Sequence, residues 1–197
     1  MLFAGLFLGY LPEPQLIPSI IFAGVGLILI FGIAAGVPTS GFHRIVEGSL
    51  RCENDGKERF HFFFPFTLFI IALILVALYM PLDYVRIAFF TVAISDGIAE
   101  PVGLMFGGSN KYTVPDIFWG GEISRSIAGS IGVFISSFLL VQLVVPSPLL
   151  WNFQVATSYS IIITLLEGTS PKGFDNALIM AVGPLLLCGL DLVGNLP

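Results

Sequence analysis

Two carboxylates four positions apart, Asp96 and Glu100, lie inside one of the most apolar stretches of the chain, in the sequence SDGIAEPVGLMFGG from Ser95 to Gly108. On an α-helix that spacing stacks both side chains on one face. Two anions placed there repel each other and are costly to desolvate, so something positive must meet them. A divalent cation, hard and oxygen-seeking, is one candidate. Arg125 and Lys111, in the segment that follows, are the others. Magnesium held by one or two carboxylates and a nucleotide's phosphates is the usual mode for phosphoryl chemistry. The plainer alternative is a structural carboxylate pair bridged by Arg125.

Two further polar clusters follow. In ISRSIAGS, Ser124, Arg125, Ser126 and Gly129 precede an apolar run. A helix N-terminus there offers unpaired N–H groups, and the forked guanidinium suits phosphate, so this is a candidate anion cradle. A Ser-capped helix start with one flanking arginine explains the same residues. In EGTSPKGFDN, Glu167 ends one apolar run, Asp175 and Asn176 begin the next, and Lys172 lies between. A turn with an Asx-type helix cap is the simplest account of that cluster. Its expected placement on the same side as the other two clusters favours a role in a shared site.

The elements that must position these groups are membrane helices. Of the 197 residues, 56% are hydrophobic and only 11% charged, with a mean hydropathy of +0.96. An ordinary soluble domain carries about a quarter charged residues, so that class is excluded. Apolar runs long enough to span occur at about Leu16 to Val37, Phe62 to Met80, Tyr84 to Met105, Ile127 to Val145, Trp151 to Leu166 and Ala177 to Val193. The expected fold is all-α, a polytopic integral membrane protein of about six transmembrane helices. Met1 to Tyr10, apolar but without a basic flank, is expected to add a short interfacial or partly inserted helix rather than a cleaved signal.

The connections alternate between polar and nearly bare. Thr39 to His61 carries Arg44, Arg51, Lys57 and Arg59; a Gly-rich loop from Phe106 to Ser126 carries Lys111 and Arg125; the loop after the fifth run carries Lys172. Those seven of the eight basic residues leave only Arg86 elsewhere, so the positive-inside rule puts the three loops in the cytoplasm and both termini outside. No stretch outside the spans is long enough for a second core, so residues 1–197 read as a single membrane domain. Nucleic acid is not an expected partner. Cys52 and Cys188 have no metal-type spacing, His43 and His61 no helical pairing, and Asp191 falls near the outer end of the last run. The small-residue pairs Gly5 and Gly9, Gly32 and Gly36, and Gly103 and Gly107 read as helix packing positions.

From Asp96 onward the chain resembles the membrane-embedded family that contains dolichol kinase, phytol kinase and CTP-dependent diacylglycerol kinase, related to the CDP-diacylglycerol synthases. The resemblance rests on Asp96, Gly97, Ala99, Glu100, Gly103, Phe106 and Gly107, then Arg125, Ser126, Ala128, Gly129 and Ser130, then Glu167, Ser170, Pro171, Gly173, Asp175 and Asn176. It covers roughly Gly48 to Leu187, with residues 1–47 forming the N-terminal segment and first span. The chain departs from the family pattern at Leu104 and Met105, where a basic residue is usual, at Ala128 in place of an acid, and at Ser95 in place of a glycine.

The resemblance implies phosphoryl transfer from CTP to the hydroxyl of a lipid alcohol, with Mg2+ as cofactor. It implies Asp96, Glu100 and Arg125 as catalytic residues, Asp96, Glu100 and Glu167 as metal ligands, and Lys111, Ser124, Arg125, Ser126, Gly129, Lys172, Asp175 and Asn176 as nucleotide contacts. A cytidylyltransferase forming a CDP-activated lipid is the related alternative, although the His-Gly-Gly-x-x-Asp-Arg element usual in that group does not occur in this sequence. A small transporter with an intramembrane cation site at Asp96 and Glu100 is the alternative from another class.

Overall fold

The computed structural model describes residues 18–27, 29, 58–118, 120–144, 153–171 and 173–194. The described residues are mostly helical, 81%, in six helices. They are α1 (Pro18–Leu27), α2 (Glu58–Tyr79), a continuous helical stretch Leu82–Phe106, α5 (Ile127–Val144), α6 (Phe153–Thr169) and α7 (Asp175–Gly194). The continuous stretch has three parts: α3 (Leu82–Thr91), a π-helical turn (Val92–Asp96) and α4 (Gly97–Phe106). Pro81 separates α2 from α3. The first ten residues, the small-residue pairs at Gly5 and Gly32, and residues 39–57 of the first charged loop lie outside the described residues.

The Gly-rich connection is not a loop. Lys111–Pro115 (β1) and Glu122–Ser126 (β2) pair antiparallel, with Tyr112 opposite Arg125 and Val114 opposite Ile123. The turn closes through Asp116 N–H to the Gly121 carbonyl (3.0 Å) and Gly120 N–H to the Asp116 carbonyl (2.9 Å). Gly120 and Gly121 have φ of +79° and +90°, a region open to glycine and strained for other residues. Tyr112, Thr113, Val114 and Ile123 supply β-favouring side chains, and the period-2 alternation turns Tyr112, Val114, Ile123 and Arg125 toward the helices.

α7 is the central helix, packing on α2, α3 and α6, while α5 packs between α4 and α6. Ile87, Tyr159, Ile163, Ile179, Met180 and Leu187 are fully buried among them. The outer surface is apolar too: Ile127, Ile131, Ile135, Leu139 and Leu143 form an exposed ridge along α5 at four-residue spacing. An exposed apolar patch of that kind marks an interaction or membrane-facing surface. Two stretches, Leu82–Phe106 and Asp175–Leu192, are long and apolar enough to cross a membrane, whereas Pro18–Leu27, Phe63–Tyr79 and Ile127–Leu143 are shorter apolar helices.

Apolar helices can pack through close approach and through interhelical hydrogen bonds. Both occur here. A Cβ on Gly103 would lie 2.6 Å from Ser126 Oγ, and one on Gly107 2.2 Å from the Gly103 carbonyl and 2.8 Å from Ser126 Cβ. The Gly103 and Gly107 pair is thus a packing notch for the start of α5. Gly107→Ala is expected to cost about 1–3 kcal/mol through overpacking, read as a lowered thermal midpoint in detergent; an unchanged midpoint would show that the notch is loose. At the far end of the bundle, Tyr84 donates a 2.5 Å hydrogen bond to Asp191, tying the first turn of α3 to the last of α7. Asp191 therefore has a protein partner in addition to its place near the end of the helix.

Candidate functional site

The hairpin lays its inner face across the ends of α5, α6 and α7, and Arg125 is the residue that binds them together. Its Nη1 donates to Glu167 at the end of α6. Its Nη2 lies 3.3 Å from Asp175 Oδ2 at the start of α7, and 3.4 Å from both the carbonyl and the hydroxyl of Ser170 in the turn between them. The three charged side chains are mostly buried, with 15%, 7% and 15% exposure for Arg125, Glu167 and Asp175. Only a planar fork reaches several acceptors at once in this way. Opposite Arg125 in the hairpin, Tyr112 bonds the Ser130 hydroxyl at 2.8 Å, and its Oη fills the space a Cβ on Gly168 would need. The tip is held as well: Phe118 stacks on Phe174 at 4.4 Å, and Phe64 of α2 meets Phe174 edge-on at 5.7 Å.

The three sequence clusters therefore separate into two groups. Arg125, Glu167, Ser170 and Asp175 converge, and the Asn176 N–H lies 2.9 Å from Asp175 Oδ1, a contact between neighbours rather than the expected Asx-type cap, since Asp175 is already the first residue of α7. Ser126 and Gly129 do not face that cluster as an anion cradle. Ser126 Oγ accepts the Gly129 N–H at 3.0 Å and caps α5, and a Cβ on Gly129 would meet the Ala99 carbonyl at 2.9 Å. Lys111 and Ser124 are exposed on the outer face of the hairpin, away from Arg125.

Glu100 is exposed on α4 and makes no hydrogen bond or ion pair with the described residues. An Arg125 bridge to Glu100 is accordingly ruled out, because the guanidinium is committed to Glu167 and Asp175. Glu167, expected as a metal ligand, instead carries that ion pair. The side chains of Asp96, Lys172, His61 and Arg59 lie outside the described residues, as do His43 and Cys52. Among the described residues no group of three or more His, Cys, Asp or Glu side chains gathers as a metal centre.

The sequence reading did not find the groups that anchor the helix carrying Asp96 and Glu100. Ser95 is fully buried and hydrogen-bonded to Ser136 of α5 at 2.9 Å. Thr91, also fully buried, donates back to the Ile87 carbonyl (2.8 Å), which leaves it to accept from Tyr159 of α6 at 3.0 Å. A serine and a threonine four apart in an apolar run were the available signal. Chemically, the site offers an unpaired carboxylate on an apolar helix, one edge of which is packed against the capped start of α5. Beside it stands a closed ion-pair network that fixes three helix ends. Comparisons with family models, characterised proteins and solved structures return no match to this chain.

Proposed function

We propose that this protein is a multi-pass membrane enzyme transferring the γ-phosphoryl group of CTP to the hydroxyl of a lipid alcohol. In that reaction the alcohol oxygen bonds to the γ-phosphorus, the bond from that phosphorus to the β,γ-bridging oxygen breaks, CDP leaves, and the hydroxyl proton passes to a base or to water. The observation that carries the reading is Glu100: an exposed, unpaired carboxylate in a 25-residue apolar helix is expensive unless a cation meets it. Its hard oxygen donors suit Mg2+, with Asp96 as the second ligand, and the ion would supply neutralisation of phosphate charge.

Arg125 in this reading acts from behind, holding the hairpin and the starts of α5 and α7 in one arrangement. Lys111, on the outer hairpin face, is the freer basic group for a nucleotide. The six-span topology with these groups on the cytoplasmic side belongs to the same proposal. Arg86, the basic residue at the other end, is paired with Asp83 at 3.0 Å, which blunts its weight in that count.

The test is the purified chain in liposomes with CTP, Mg2+ and a panel of prenols and diacylglycerol. CDP with a phosphorylated lipid is expected. Pyrophosphate release with phosphatidic acid would replace the kinase by a cytidylyltransferase. A second reading has one observation behind it: the buried hydroxyls of Thr91, Tyr159, Ser95 and Ser136 put polar groups deep between the helices. Cation flux in nucleotide-free liposomes would favour a transporter.

A further inference from the structure

The helix carrying Asp96 and Glu100 contains one residue more than an α-helix of its length would hold. Val92–Asp96 forms a π turn, in which hydrogen bonds skip five residues instead of four. Relative to an unbroken α-helix, everything after such a turn is set back by one residue, about 100° of rotation and about 1.5 Å of rise. The turn is not intrinsically favourable, so something must hold it. Its two flanks carry the two buried hydroxyl bridges: Thr91 to Tyr159 just before it, and Ser95 to Ser136 within it.

We infer that the Thr91–Tyr159 and Ser95–Ser136 hydroxyl pairs are positioning residues, the second locking the π turn and the first anchoring its upstream end, and that they set the rotational register that puts Glu100 on the open side of α4. This deepens the proposed function and rests on its reading of Glu100. Relaxation of the turn to α-helical bonding advances α4 by one residue. Ala99 then occupies the place of Glu100, and Glu100 turns about 100° away. Ser95 leaves Ser136 in the same movement; Ser136 Oγ keeps the Gly132 carbonyl at 2.8 Å, and Ser95 is the hydroxyl left in the core without its partner. The price of an unmet buried hydroxyl therefore falls on the relaxed state. Thr91 lies before the turn and keeps Tyr159 in either register, so it fixes the upstream end against which α4 rotates.

The contact between α4 and α5 gives a direct ruler for the register. A Cβ built on Gly132 lies 3.6 Å from Val102 Cβ, inside the range of about 3.5–4.5 Å that a disulfide needs. After a one-residue advance, position 101 would stand where 102 stands now. Cross-linking is therefore measured on the full chain in membranes, in a Cys52→Ser, Cys188→Ala background, for Val102→Cys with Gly132→Cys and for Pro101→Cys with Gly132→Cys. With the hydroxyl pairs intact the 102–132 disulfide is expected to dominate. Adding Ser95→Gly and Ser136→Ala should lower it several-fold while the 101–132 disulfide rises.

Thermal unfolding of the same variants in detergent serves as the reference for an intact bundle and should remain cooperative. If the double variant loses the reference as well, Ser136→Ala alone is read by the same two cross-links. A 102–132 yield unaffected by removal of the hydroxyls overturns the inference. In the assay of the proposed reaction, Ser136→Ala should raise the Mg2+ concentration for half-maximal rate several-fold more than it changes the KM for CTP. An inactive parent protein would defeat the kinase reading and leave the cross-link result standing. An active parent with an unmoved register would do the reverse.

Discussion

Glu100→Gln is expected to lower lipid-alcohol phosphorylation by about two orders of magnitude or more, with no loss of folded stability. The two halves of that expectation come from the same fact. Glu100 is exposed and makes no hydrogen bond or ion pair with the described residues, so glutamine, nearly identical in size, removes no contact that holds the protein together. What it removes is a full negative charge, which the structure leaves unanswered and a bound cation requires. The measurement is the initial rate of CDP release across a Mg2+ series, run beside thermal unfolding of the same sample. A variant with parental turnover would take Glu100 out of the chemistry. A variant that melts early would show a structural partner for it. Asp96→Asn is expected to act in the same direction, since Asp96 closes the π turn one helical turn before Glu100.

The helices were legible because their cause is local. Each of the last five apolar runs, of about 16 to 22 residues, corresponds to helix among the described residues, with breaks at prolines and glycines such as Pro81 and Gly173. The hairpin was hidden because its strands have five residues each and are embedded in glycine and proline. Period-2 alternation over so short a stretch is weak, and only pairing with its partner reveals it. That omission carried into the site. Read as a loop, residues 106–126 let Lys111, Ser124 and Arg125 all converge on one phosphate. Read as a hairpin, adjacent residues point to opposite faces, and Arg125 parts company from Ser124 by the pleat alone. The π turn was invisible for a related reason, since it is held by hydroxyl contacts to Ser136 and Tyr159, about 40 and 70 residues away in sequence.

Arg125→Ala should be the most destabilising single substitution in the hairpin, by about 3–5 kcal/mol, because it takes the shared guanidinium from two mostly buried carboxylates. Glu167 and Asp175 are mostly buried and share the one guanidinium, so its removal leaves them facing each other as well as losing their partner. The loss also loosens β2 from α6 and α7, leaving the hairpin held by Tyr112 on Ser130 and by Phe118 on Phe174. Arg125→Lys keeps the charge and loses the fork, so it should recover part of the loss and no more. Glu167→Gln placed on top of Arg125→Ala should cost less than the sum of the two single changes, by about 0.5–3 kcal/mol, since the two residues share one ion pair. Thermal or denaturant unfolding in detergent measures all four proteins. Additive effects would mean that the ion pair contributes nothing to holding the hairpin. A fully stable Arg125→Ala protein that has lost only its response to CTP would instead return Arg125 to the phosphate, and the ion-pair network would then be a resting arrangement that the nucleotide opens.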